Sequence, residues 1–180
     1  MARMDEVTVT APKQPESVWA PVRPSDFEVF FEQHHERLFR ALWLLTRNRQ
    51  EAEEVMQDAF LRLWERWDKV SGGPDPVGYL YRTAMNVWRS RLRRAAVAAR
   101  RVIHHIQGDD EISDVEERDA VVRALAPLPP RQRAAIVLMA VLDLSSERAA
   151  EVMGIRPVTV RVLAARARAA LAKELEERHG

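Results

Sequence analysis

The chain has 180 residues, 47% of them hydrophobic and 31% charged, with no cysteine and a formal net charge of +1. That length holds one ordinary domain or two small helical ones, and the absence of cysteine excludes disulfides and thiolate metal sites. No apolar run approaches the ~20 residues that span a bilayer, and the first 24 residues lack the apolar core of a signal peptide, so a cytoplasmic protein without membrane insertion is expected.

Residues 1–24 carry four prolines and no helical period, and read as a disordered tail. Ser25-Asp26-Phe27-Glu28 matches a capping box and opens a helix. Its apolar positions Phe27, Phe30, Phe31, Leu38, Ala41, Leu42 and Leu45 follow the 3.6-residue period. A polar break at Arg47–Arg49 separates it from a second helix, expected from about Gln50 to Trp67. Ser71–Pro76 is the strongest breaker in the chain. A third helix starts near Pro76, where proline is tolerated, and runs to about Arg94 or beyond.

Residues 102–115 turn acidic and lose their period, which marks them as a flexible linker. A second helical block begins near Val115 and stops at Pro127–Pro130. Helices are expected next at about 131–142, 145–153 and 157–176. The fold class is therefore all-α, with two small helical domains. Their expected extents are 25–101 and 116–178.

Charge is segregated along this string of helices. Seven arginines and no acid lie between Tyr79 and Arg101, and five basic residues and no acid between Gly154 and Lys173. Seven acids and one arginine fill Asp109–Asp119. Blocks of one sign point to an anionic partner for the basic helices. The second basic block follows a helix-turn-helix pattern. Ser145 can cap a short helix, Ser146–Met153, Gly154 supplies the turn, and Pro157 opens the helix that would enter a major groove.

Three stretches carry a resemblance to a known family. They are Glu53–Trp64, the run from Pro76 through Asn86 to Arg94, and Leu128-Pro129-Pro130-Arg131-Gln132-Arg133 followed by the helix-turn-helix. In that order they resemble the extracytoplasmic-function (ECF) sigma factors of the sigma-70 family, over about residues 26–176. The resemblance implies a protein without catalytic residues or cofactors that binds core RNA polymerase on the clamp helices of its largest subunit. It would direct recognition and opening of promoter DNA. An anti-sigma factor is a further partner that the resemblance makes possible. The alternative is a sigma-like regulator that binds DNA or polymerase without initiating transcription.

By the same resemblance Asp58, Leu61, Arg62 and Trp64 would bind polymerase, an exposed aromatic among charges being a suitable anchor; the alternative for Trp64 is packing against the first helix. Asn86 would meet a base exposed by strand opening, and Lys69, Arg82, Arg89, Arg91, Arg93 and Arg94 would hold the −10 strand. Tyr79 and Trp88 could offer stacking faces, but their helical spacing favours the core. The loop Lys69–Pro74 falls where the family captures a flipped base, yet here it holds two glycines. Arg156, Thr159, Arg161, Arg166 and Arg168 would contact the −35 duplex. Val162 and Leu163 stand where the family commonly has a serine and an arginine, so either a different −35 sequence is read or this face meets a protein.

No metal is expected. His34-His35 and His104-His105 are adjacent pairs, and adjacent residues on a helix point about 100° apart, a poor two-ligand face.

Overall fold

The computed structural model describes residues 26–101 and 116–179. The tail, Ser25 with its capping role, the linker 102–115 and His104-His105 lie outside the described residues. Eight helices and no strand are present among those described: α1 (Asp26–Thr46), α2 (Arg49–Trp64), α3 (Trp67–Val70), α4 (Pro76–Arg101), α5 (Glu116–Leu125), α6 (Pro130–Ala140), α7 (Ser146–Met153) and α8 (Pro157–His179).

Local chemistry sets the boundaries. Arg47 leaves α1 in the left-handed region at φ 62°. Asn48 then caps α2 by accepting the Glu51 N–H at 2.8 Å, so the polar break is a cap. The second helix ends at Trp64, three residues short of expectation, and Trp67 begins the short α3 instead. There its ring packs on Phe27 and Phe30, with centroids 5.3 and 5.0 Å apart. Tertiary packing of this tryptophan overrides the continuous helical period that the sequence displays.

Asp75 organises the start of α4. Its Oδ1 accepts the Gly78 N–H at 2.9 Å, and its carbonyl accepts from Tyr79. A Cβ on Gly78 would lie 1.8 Å from the Asp75 carboxylate, so only glycine lets that carboxylate fold over the helix end.

One continuous core joins the two halves. In the first, α1 packs on α2 and α2 on α4, around Leu38, Leu42, Leu45, Val55, Leu63 and Leu80. In the second, α6 and α7 pack on α8 through Val137, Leu138, Val160, Ala164 and Ala167. The halves meet where α1 lies against α5 and α6, and where α4 lies against α7.

Arg133 is buried in this second core with no carboxylate partner among the described residues; its Nη1 donates to the Leu128 carbonyl at 3.4 Å. Burial, then the nearby Arg47, lower its guanidinium to about 10, so it remains charged at neutral pH. It ties α6 back to the turn that precedes it.

Candidate nucleic-acid and polymerase interfaces

Helix α4 has one apolar and one basic face. Leu80, Tyr81, Ala84, Met85, Val87 and Trp88 are buried, while Tyr79 is half-buried against the same core. Trp88, at 2% exposure, is a core residue and offers no stacking face in this arrangement. Asn86, Arg93 and Arg94 are exposed, and Arg82, Arg89 and Arg91 are half-buried.

The sequence reads as though no acid neutralises these arginines. Tertiary structure corrects that reading. Arg91 pairs with Glu54 at 2.5 Å and with Asp58 at 3.0 Å, both from α2. The hydrogen bond from Arg91 holds Glu54 below the usual carboxylate range, and the one to Glu54 raises Arg91 in turn. Arg82 pairs with Asp75 at 3.5 Å. Arg89 donates Nη2 to the Asn86 Oδ1 at 2.6 Å and Nη1 to the Met153 carbonyl at 2.5 Å.

Helix α2 presents its other side to solvent. Ala59, Phe60 and Leu63 face the core, while Leu61 is 53% and Trp64 61% exposed, one turn apart, with Arg62 exposed between them. Asp58 belongs to the edge of this face, where it is half-buried and engaged by Arg91. Lys69 is exposed on the short α3, away from any described ion pair.

The helix-turn-helix forms as its turn chemistry requires. Ser145 accepts the Arg148 N–H, and Gly154 closes α7 in the left-handed region at φ 64°. Ile155 is half-buried in the turn and Pro157 starts α8. Arg156, Arg161, Arg166 and Arg168 are exposed, with Thr159 half-buried. Arg161 lies along α7, donating to Ser146 Oγ at 3.0 Å and pairing with Glu147 at 3.2 Å.

Several residues that join the halves carry little sequence signal. Arg148 of α7 pairs with both Asp75 and Glu151, and Arg37 of α1 donates to the Val141 carbonyl at 3.3 Å. Burial alone would raise the Asp75 carboxyl; the Gly78 N–H, Arg148 and Arg82 together outweigh it and hold the group low. Asp75 directly before Pro76 is a legible helix-start signal. Its role between two arginines from different halves is not.

Comparison with known proteins places both halves. The family model described as Sigma-70 region 2 matches residues 30–110, and that described as Sigma-70, region 4 matches residues 118–171. The ECF RNA polymerase sigma factor SigM of Mycobacterium tuberculosis (strain H37Rv) is 33% identical over 150 residues, covering 83% of this chain and 76% of that protein. The RNA polymerase sigma-E factor of Streptomyces avermitilis is 27% identical over 157 residues, covering 85% and 87%.

Among solved structures, CnrH in complex with the cytosolic domain of CnrY superposes with a TM-score of 0.62 at 28% identity, covering 84% of this chain and 88% of that one. The sigma factor RpoE in complex with the anti-sigma factor NepR from Bartonella quintana shares the fold at a TM-score of 0.70 and 24% identity, covering 84% and 97%. Two family regions in the proper order, a relative one-third identical over most of both lengths, and a basic helix in each half establish that the chain belongs to the ECF RNA polymerase sigma factors, which direct transcription initiation.

Proposed function

We propose that this sigma factor acts in the cytoplasm by binding alone, with a division of labour along the chain. Residues 25–101 dock on core polymerase and hold the opened −10 strand; residues 116–178 read the −35 duplex, with 102–115 joining them. The observation that carries the polymerase assignment is the exposed Leu61–Trp64 pair, an aromatic and an aliphatic side chain left in water on an otherwise charged face. Such a pair fits the anchor of a protein interface. Arg62 and Asp58 flank it, and Asp58 does so while bound to Arg91, so docking and the basic helix share one ion-pair cluster.

Asn86 and Arg93 with Arg94 form the exposed part of the −10 surface, and Arg82, Arg89 and Arg91 supply further charge once their present partners are exchanged for phosphate. Lys69 would extend that surface from α3. Arg89 is held by the Met153 carbonyl of the helix-turn-helix, so engagement of the strand at Arg89 and separation of α4 from α7 go together. On α8, Arg166 and Arg168 with Arg156 reach phosphates, and Thr159 and Arg161 stand near the base edges. An anti-sigma factor is a fitting additional partner, since RpoE was solved with the anti-sigma factor NepR and CnrH with the cytosolic domain of CnrY.

Run-off transcription tests the reading. Core polymerase supplied with this protein should initiate at defined sites on genomic DNA, and Trp64→Ala should weaken co-purification with core by roughly tenfold or more. Stable core binding without transcripts would identify a regulator that does not initiate. Unchanged co-purification of the variant would remove Trp64 from the interface.

A further inference from the structure

The exposed face of α8 is apolar where a DNA-reading helix most often carries polar groups. Val158 is 50% and Val162 44% exposed, and Ala165 and Ala169 are exposed below them. At about 100° per residue these four fall within about 60° of arc, directly opposite the buried Val160, Ala164 and Ala167. Thr159 and Arg166 border the stripe on one side, and Arg161 and Arg168 on the other. Arg161 is drawn aside by Ser146 and Glu147 of α7.

The surroundings decide what covers this stripe. No acid lies between Gly154 and Lys173, so the surface is an apolar ridge with guanidinium groups along both edges. That is complementary to a major groove, whose floor offers methyl groups and whose two rims are phosphates. The only base-edge group that prefers an aliphatic contact to a hydrogen bond is the thymine C5-methyl. With the usual polar pair replaced by Val162 and the half-buried Leu163, guanine-reading by arginine at this point of the helix gives way to methyl contact.

We propose that Val158 and Val162 are specificity-determining residues that read thymine methyl groups in the upstream promoter element, while Arg166 and Arg168 beside them hold its backbone. This rests on the assignment of α8 as the −35 reader and adds the chemistry that it reads.

The test removes the methyl and nothing else. Promoters are first found by sequencing the transcripts that core polymerase makes with the full chain. Deoxyuridine then replaces thymidine, one position at a time, in either strand of the upstream element, and holoenzyme binding is titrated. One or two positions should weaken binding by about fourfold, the equivalent of one buried methyl. Val162→Ala or Val158→Ala should make the holoenzyme indifferent to uracil at its own position. Both valines are exposed, so a melting curve of each variant should match the parent. Equal binding of uracil and thymine at every position overturns the methyl readout while leaving the sigma assignment intact, as expected of a patch that meets a protein. Failure to produce any specific transcript overturns the assignment itself.

Discussion

The two basic helices look alike in sequence and behave differently in the fold. Both run for many residues with arginines and no acid. In α4, however, Arg82, Arg89 and Arg91 are each held by another part of the chain: Asp75, the Met153 carbonyl, and the Glu54–Asp58 pair. In α8, Arg161 pairs with Glu147, while Arg166 and Arg168 are exposed and have no ion pair with a described residue. Their inner faces differ as well. The first packs large side chains, Tyr81, Met85 and Trp88, against its neighbours, whereas the second uses Val160, Ala164 and Ala167, which allow close approach to α6. A run of like charge in sequence therefore says which face avoids the core. It does not say which charges remain available to a ligand, because the partners of Arg89 and Arg91 lie on α7 and α2, remote in sequence, and that of Arg82 lies before the helix.

The inner faces give the largest expected effects. Trp88→Ala should remove about 3–5 kcal/mol of stability, read by denaturant unfolding, because it empties a buried site. A stable variant with impaired promoter opening would instead make Trp88 a stacking platform. Ala164→Leu should destabilise by about 1–3 kcal/mol through overpacking, with no cavity involved. Tolerance of leucine there would mean that α8 sits less closely on α6 than the structure places it.

Smaller effects probe the pairs that distinguish α4. Asp75→Ala should cost about 1 kcal/mol as a lost cap. Gly78→Ala should destabilise the parent, because its Cβ displaces the Asp75 carboxylate. In an Asp75→Ala background the same change should be neutral or stabilising by up to ~1 kcal/mol, since alanine is the better helix former. Additive effects would show that the carboxylate does not depend on the missing Cβ.

The acid-side behaviour sharpens the comparison last. Glu54 is held low by Arg91, so its pair supports folding above the unfolded carboxylate value and that support fades as pH falls through the lower, folded value. Between about pH 5 and 3, the parent should lose more stability than Arg91→Ala. Parallel pH profiles would place the Glu54–Arg91 pair among ion pairs that contribute nothing measurable.

Helices were legible wherever local chemistry dominated. The Ser145 cap, Gly154 at positive φ and Pro157 gave the boundaries of α7 and the start of α8 directly, and Phe60 and Leu63 faced the core as their spacing required. The period set Leu61 and Trp64 beside the less apolar side of α2 but left Trp64 open between solvent and the first helix; the structure leaves both exposed. The end of α2 was missed because Trp67 leaves the helical stripe to meet Phe27 and Phe30 across the bundle. Asp75 was read only as part of the Ser71–Pro76 breaker; its cap on α4 and its place between Arg82 and Arg148 came from the structure.

Taken alone, the order of residues determined an all-α chain with a basic helix in each half, because periodicity, caps and breakers act over a few residues and need no distant partner. Only the tertiary structure decided which arginines are engaged, that Trp88 is core, and that α4 lies against α7. Those outcomes depend on groups brought together from positions tens of residues apart, and Coulomb and hydrogen-bond energies fall off too steeply with distance for sequence neighbours to reveal them.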